Sequence, residues 1–284
     1  KGANSVAGNT VLGESALDAA TTGGSNTAIG KDALGATTTG ASNVAVGSQA
    51  LDANTTGEEN TAIGTDSLGG NTTGNRNTAL GNDCLVSNTT ASDNVGVGHD
   101  VLKTNTTGAN NTGVGRGSLG ANTTASNNTA VGRSAMAANT TGTYNTALGA
   151  YTLSNQTTSN NNTAVGYYAL DQNTTGAENT AVGNQSLEDN TTGENNTAVG
   201  HNALLNSTSN ENCAFGSQAL ATQSSSTGRN NNAFGYYALK SNTTGEQNCA
   251  FGHYALQNNT TANENCAFGG STLYDCTTGN NNLC

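Results

Sequence analysis

The chain has 284 residues and is dominated by small ones, with 38 glycines, no proline and no tryptophan. Only 33% of the residues are hydrophobic and 10% are charged, against about half and a quarter in ordinary domains, so we do not expect a conventional globule. The formal charge of −11 comes from 19 acidic and 8 basic residues spread thinly along the chain, which argues against nucleic acid as a partner. Its apolar runs are far shorter than the roughly 20 residues of a membrane helix, so we expect no membrane span.

The chain is a tandem repeat of 17 residues, present in sixteen copies. The unit reads Asn-Thr-Ala-Val-Gly-x-x-Ala-Leu-x-x-Asn-Thr-Thr-Gly-x-x, and its positions are called places 1 to 17 below. Two steps differ, 16 residues from Gly200 to Gly216 and 19 from Gly216 to Gly235, and a Ser-rich irregular loop over 221–230 absorbs the difference. So short a period indicates a solenoid rather than helix-pair repeats. We predict one continuous all-β solenoid over 1–284, a single-stranded parallel β-roll of about 16 coils with left-handed coiling.

Each coil is predicted to start with a strand. Place 1 is Asn in every copy, and place 4 is always a large apolar residue, Phe in the last four copies. Because side chains alternate along a strand, we predict that place 4, such as Val46, points inward and that place 3, such as Ala45, points outward. Place 9 is Leu in every copy except Met136, and we expect it inside as well. The glycines at places 5 and 15 are expected to form corners.

Two large inward residues per coil make a thin core. Burying each contributes roughly 1.5–3 kcal/mol, whereas ordering the backbone costs about 1–2 kcal/mol per residue. We therefore expect much of the stability to come from backbone hydrogen bonds between coils and from stacked Asn and Thr side chains.

Two rows of small residues are predicted to follow the solenoid. Place 3, for example Ala62 and Ala164, is small and assigned to the outside, and place 8, for example Ser118, is small as well. Neither 1–8 nor 282–284 is typical of a polar cap. We predict self-association through an outward small-residue face, through the coil ends, or both. The alternative is that narrow coils simply hold small residues inside.

Residues for catalysis or metal binding are not grouped in the sequence. His99, His201 and His253 all occupy place 6, three or six coils apart, so they cannot share a metal ion. No glycine motif has the context of a phosphate or dinucleotide loop. We predict no enzyme activity, no cofactor and no metal site.

The six cysteines concentrate toward the C-terminal end. Cys249 and Cys266 occupy place 2 of adjacent coils, which would put their Cα atoms within disulfide range. We predict a bridge between them, the alternative being two reduced thiols. Cys276 and Cys284 are candidates to clamp the last coil or to reach a neighbouring molecule. No partner is evident for two others, Cys84 and Cys213.

The Asn-Thr-Thr segment at places 12–14 is formally an N-glycosylation acceptor. The alternative is a turn-forming Asn with stacked Thr, and glycans require an outward Asn or an outward second Thr. The candidate sites are Asn54, Asn71, Asn88, Asn105, Asn122, Asn139, Asn173, Asn190, Asn242 and Asn259.

The units that begin at Asn60, Asn162 and Asn179 read Asn-Thr-Ala-Ile/Val-Gly. They resemble the repeats of tail-fibre-like and surface-exposed bacterial or phage proteins. More distantly they resemble the head repeats of trimeric autotransporter adhesins, which implies a left-handed parallel β-roll. The resemblance covers essentially the whole chain. The implied location is extracellular, on a cell surface or on a virion, and the start at Lys1 without methionine is expected for a processed product or a fragment.

Three classes of function follow as hypotheses. The first is a structural subunit of an extracellular filament or fibre shaft whose partner is itself, as a head-to-tail filament or a homotrimer. The second is an adhesin or phage tail-fibre shaft that binds a host surface or glycan. The third is an ice-binding solenoid, although the paired Thr of places 13 and 14 are adjacent and would face opposite ways. An exposed tyrosine stripe would favour the second class, and its members are Tyr151, Tyr167, Tyr168, Tyr236, Tyr237 and Tyr254.

Overall fold

A computed structural model of the protein describes residues 6–19, 21–223 and 227–284, and in this part of the chain every regular element is a three-residue β-strand. The chain divides into two compact units, Lys1–Thr143 and Tyr144–Cys284. The first unit contains β1 (Thr10–Leu12), β2 (Thr27–Ile29), β3 (Val44–Val46), β4 (Thr61–Ile63), β5 (Thr78–Leu80), β6 (Val95–Val97), β7 (Thr112–Val114) and β8 (Thr129–Val131). The second unit contains β9 (Thr146–Leu148), β10 (Thr163–Val165), β11 (Thr180–Val182), β12 (Thr197–Val199), β13 (Cys213–Phe215), β14 (Asn232–Phe234), β15 (Cys249–Phe251) and β16 (Cys266–Phe268).

Within each unit, every strand pairs in parallel with the strand of the next coil, and equivalent places are partners. Thr61 pairs with Thr78, for example, and Ile63 with Leu80. The fold is therefore the predicted parallel β-solenoid with one coil per 17 residues. The register also survives the two irregular steps, since Cys213 pairs with Asn232 across the 19-residue coil. Of the predicted loop over 221–230, residues 224–226 lie outside the described residues.

The prediction of which strand residues point inward was wrong. Ala62 at place 3 is completely buried, whereas Ile63 at place 4 is 38% exposed, and the same pattern holds at Ala164 and Val165. The alternation itself is present, but a three-residue strand directs only its central side chain into the coil. A methyl group suits that position because the Leu of place 9 already fills the interior. Both rows of small residues thus lie inside, and the described residues form no outward small-residue face.

Leucine at place 9 enters the core because the backbone there is left-handed. Leu68 has φ of 52°, and the residue before it, Ser67, is buried too, so two consecutive side chains point inward. A left-handed conformation costs a non-glycine residue about 1–2 kcal/mol. Complete burial of a Leu side chain contributes roughly 1.5–3 kcal/mol, which offsets that cost.

Two buried rows of asparagine connect the coils and confirm the predicted Asn stacking. Asn60 at place 1 accepts a hydrogen bond on Oδ1 from the backbone N–H of Asn77 at 2.9 Å, and its Nδ2 donates to the carbonyl of Gly74 at 2.8 Å. Asn71 at place 12 donates to that same carbonyl at 3.0 Å. The carbonyl at place 15 therefore closes its own coil through both asparagines, and Oδ1 of place 1 bonds that coil to the next one.

Threonine at place 13 forms a third row. The hydroxyl of Thr55 donates to the carbonyl of Thr72 in the next coil at 3.0 Å, and Thr72 donates in turn to Thr89. These bonds hold side chains at the coil surface in one repeated geometry, which confirms the predicted Thr stacking.

Glycine at place 5 is required by the close approach of successive coils. A Cβ atom on Gly47 would lie 2.3 Å from the carbonyl oxygen of Gly64, and the φ of Gly47 is 146°. Both observations exclude other residues at this corner.

Two places inside the coil compensate each other in size. Place 3 is Gly only at Gly96 and Gly113. These glycines face Cys84 and Val101 at place 8, which is Ala, Ser or Thr in every other copy. A Cβ on Gly113 would lie 2.6 Å from Cγ1 of Val101.

Gly113→Ala should therefore destabilise the first unit by about 1–3 kcal/mol through overpacking. In a Val101→Ala background the added methyl has room, so the two changes should couple by more than about 1 kcal/mol in a double-mutant cycle measured by urea unfolding. Additive effects would contradict this account of the packing.

Candidate functional site

The outward side of the strands is the first candidate surface. We call it the strand face, and it consists of the side chains at places 2 and 4. Ile63, Leu80 and Leu148 of this face are 38%, 45% and 48% exposed. Place 2 contributes Thr or Val in the first unit, and Thr, Cys or Asn in the second. Place 4 contributes Leu12, Ile29, Val46, Ile63, Leu80, Val97, Val114 and Val131, and then Leu148, Val165, Val182, Val199, Phe215, Phe234, Phe251 and Phe268.

In the second unit the strand face ends in a ladder of stacked phenylalanines. The ring centroids of Phe215 and Phe234 are 5.1 Å apart, those of Phe234 and Phe251 4.6 Å, and those of Phe251 and Phe268 5.2 Å. The planes of neighbouring rings are nearly parallel, with angles of 4° to 6°, and Phe268 remains 57% exposed. Large apolar groups are thus held in a regular row on the surface.

Places 14, 16 and 17 of the coil are mostly polar. Thr56 at place 14 and Glu58 and Glu59 at places 16 and 17 are exposed, and among the equivalent places elsewhere the exposed Tyr144 is a large apolar exception. The apolar character of the strand face is therefore a local property of one side of each unit, not a general feature of the surface.

A second candidate surface lies at places 6, 7 and 10, where the repeat varies most. We call it the variable corner. Aromatic residues collect here in the second unit, with Tyr236 and Tyr237 in edge contact and Tyr237 stacked on Tyr254 at 5.6 Å. The ammonium group of Lys240 lies 4.0 Å from the ring centroid of Tyr237. The predicted tyrosine stripe is therefore two local clusters, and the other one contains Tyr151, Tyr167 and Tyr168.

In the first unit the variable corner carries charge. Asp83, His99 and Asp100 bring their side-chain N and O atoms within 4.8 Å of one another. The ammonium group of Lys103 lies 2.7 Å from Asp100 and 3.6 Å from Asp83, and its hydrogen bond holds the pKa of Asp100 below the usual value. The cation that satisfies these carboxylates is thus a lysine. Sequence reasoning missed this cluster, although the stacking of place 7 on place 7 gives the signal.

Cys249 and Cys266 are register partners in β15 and β16 and stand as free thiols. Both are half-buried on the strand face. The pKa of Cys249 is raised to about 11, mainly by burial and to a smaller extent by the neighbouring Cys266. Cys276 and Cys284 are free as well, and the thiol of Cys276 contacts the carbonyl of Gly279 at 3.3 Å. The Cys249–Cys266 bridge stays a prediction.

Peptide mapping without reduction should recover Cys249 and Cys266 cross-linked after air oxidation.

The thiol of Cys84 should resist maleimide in the native protein, because burial raises its pKa to about 12. It should react fully in urea. Recovery of Cys249 and Cys266 as free thiols after oxidation would refute the bridge, and rapid native labelling of Cys84 would contradict its burial.

The candidate glycosylation sites at place 12 are buried. Asn54, Asn71 and Asn88 have no exposed surface, and the Nδ2 atoms of Asn71 and Asn88 each donate two hydrogen bonds. All ten candidates share this burial, although the second Thr of the motif, such as Thr56, is exposed. A glycan on Nδ2 would break these bonds and has no space in the coil, so this fold favours the structural role of the motif.

The described residues thus define a β-solenoid with two buried rows of asparagine, an apolar strand face and a variable corner. Comparison with protein-family models, with curated proteins and with solved structures returns no match to this chain. Among the described residues, no helix has the length and apolar character needed to cross a bilayer.

Proposed function

We propose that this protein is a structural subunit of an extracellular filament or fibre, in which copies of the chain associate laterally through the strand face. The observation that carries the proposal is the row of large, partly or fully exposed apolar side chains at place 4 in each unit. A continuous apolar row on a surface is typical of an interaction site. The row replaces the small-residue face as the basis for self-association.

A second copy of the chain is the occupant that best matches this face. Successive side chains of the row are spaced by the distance between paired strands, roughly 4.7–4.9 Å. Another copy carries the same period, so the ridges and grooves of the two faces match coil by coil within a unit. A partner of a different fold would match this spacing only by coincidence.

Charged substitutions on the strand face test the proposal. Wild-type protein should sediment as an oligomer at micromolar concentration, and the double variant Ile63→Lys and Leu80→Lys should sediment as a monomer with unchanged circular dichroism. Both side chains are already exposed, so the fold should tolerate the change. The matched control is Thr73→Lys and Thr90→Lys, which adds the same charge at exposed place 14 and should leave the oligomer intact. A monomeric wild-type protein at about 100 µM would overturn the proposal; a subunit interface of standard size holds tighter than that.

Ice binding is the second candidate, and the strand face also favours it. The sequence argument against it used the adjacent Thr of places 13 and 14. On the strand face, however, Thr61 and Ile63 point outward two residues apart, and Thr78 and Leu80 repeat them in register. Thermal hysteresis of the purified protein that is lost in Thr61→Lys and Thr78→Lys would support this candidate, and its absence in the wild-type protein would exclude it.

A further inference from the structure

A groove opens in the variable corner of the first unit, away from the strand face. It has a volume of about 420 Å³ and is lined by residues of three successive coils. Its charged lining residues are Asp100, Lys103, Arg116 and Arg133. The rest of the wall is small, and consists of Gly117, Gly120, Ser134 and Ala137.

The groove exists because one coil lacks two side chains. Place 7 holds a side chain in fifteen of the sixteen copies, and Gly117 is the exception. Place 10 of the same coil is Gly120. A Cβ on Gly117 would meet nothing closer than Ser134 Oγ at 3.9 Å, so the space beside it is open.

The charge of the groove is opposite to that of the chain. Its lining holds three cations and one carboxylate, a formal net charge of +2 in a chain of −11. Asp100 is already engaged by Lys103 and by His99, each at 2.7 Å. Among the described residues, no carboxylate forms an ion pair with the exposed guanidinium of Arg116 within 4.0 Å.

Arg116 and Arg133 are positioned to act together. Both occupy place 6, in adjacent coils, so their Cα atoms are separated by roughly the 4.7–4.9 Å between paired strands. Two guanidinium groups that are carried by adjacent coils and line one groove supply charged donors of the kind that sulfate and phosphate oxygens accept. The gap at Gly117 and Gly120 leaves room for whatever carries that group.

We propose that this groove binds a small ligand through a single sulfate or phosphate group, with Arg116 and Arg133 as the binding residues. Lys103 neutralises Asp100, so the net positive charge of the groove comes from the two arginines. The proposal is independent of lateral association, because the residues involved lie outside the strand face.

Calorimetric titration of the full chain with N-acetylglucosamine 6-sulfate, inorganic sulfate, inorganic phosphate and neutral N-acetylglucosamine tests this site. The sulfated sugar should bind, and the neutral sugar should not. Tighter binding of the sulfated sugar than of either inorganic anion would identify a saccharide-borne group, and equal binding would identify the free oxyanion; both results support the site. Absence of binding by every anion at about 10 mM would overturn the proposal, because two charged donors should give measurable affinity there.

Three variants separate the groove from general electrostatics. Arg116→Gln and Arg133→Gln should each weaken binding by about 10-fold, as expected for the loss of a charge-assisted hydrogen bond. Gly117→Asn should also weaken binding by occupying the groove, and its backbone suits the change, since φ is 70° and place 7 is left-handed in the other coils. Arg76→Gln is the control, because Arg76 pairs with Asp93 at 2.7 Å at place 17. Equal weakening by Arg76→Gln, or no effect of Gly117→Asn, would contradict a specific site.

Discussion

Glutamate in place of Ala62 should unfold the coils around it, whereas glutamate in place of the adjacent Ile63 should leave the fold intact. Ala62 has no exposed surface and lies against the interior of the coil, so a carboxylate there would be buried without a partner. Such a charge costs about 3–5 kcal/mol, to which overpacking adds. Ile63 is 38% exposed, and its replacement removes only part of a surface contact.

Thermal unfolding followed by circular dichroism, together with limited proteolysis, measures the difference between these two variants. Ala62→Glu should lower the melting temperature strongly and open cleavage sites in the first unit, and Ile63→Glu should change neither by much. Ala62→Ser serves as a control for size, because Ser adds one polar atom without a charge. Equal tolerance of glutamate at both positions would contradict the burial of Ala62, and a larger loss in Ile63→Glu would mean that the strand is turned the other way.

The sequence predicts the period, the strands and their register because each depends only on repetition. When a unit of constant length recurs, equivalent residues must stack, and the pairing of Thr61 with Thr78 follows without knowledge of the interior. The Asn and Thr rows follow for the same reason. Repetition does not determine which face of a strand points inward, and the size of the apolar residue at place 4 led to the wrong choice.

The left-handed backbone at place 9 decides which face of the strand points inward, and the alternation of residues in the sequence does not reveal it. Leu68, with φ of 52°, enters the coil beside Ser67. These side chains fill the interior and leave room for only a methyl group from the strand. Compensation in size between Gly113 and Val101 is a signal of this packing that is visible in the sequence. The groove at Gly117 is visible there as well, but only once places 6, 7 and 10 are known to share one corner.

The buried asparagine row explains how so thin an apolar core supports the fold. Oδ1 of Asn77 accepts from the backbone N–H of Asn94 at 3.0 Å, and its Nδ2 donates to Asn60 Oδ1 at 3.2 Å and to the carbonyl of Ala91 at 2.8 Å. One side chain therefore bonds to the coils on both sides and closes its own. Every bond is shielded from water, since these asparagines have no exposed surface.

Asn77→Ala should therefore destabilise the first unit by about 2–4 kcal/mol. The change orphans the buried N–H of Asn94, which costs about 1–3 kcal/mol, and removes further bonds worth about 1 kcal/mol each. The carbonyl of Ala91 keeps its bond from Asn88 at 3.0 Å, which limits the loss. Urea unfolding measures the effect, with Asn82→Ala as the matched control, because Asn82 lies at the variable corner and should matter by less than about 0.5 kcal/mol. Similar losses in the two variants would show that hydrogen bonding along the buried row does not carry the stability of the solenoid.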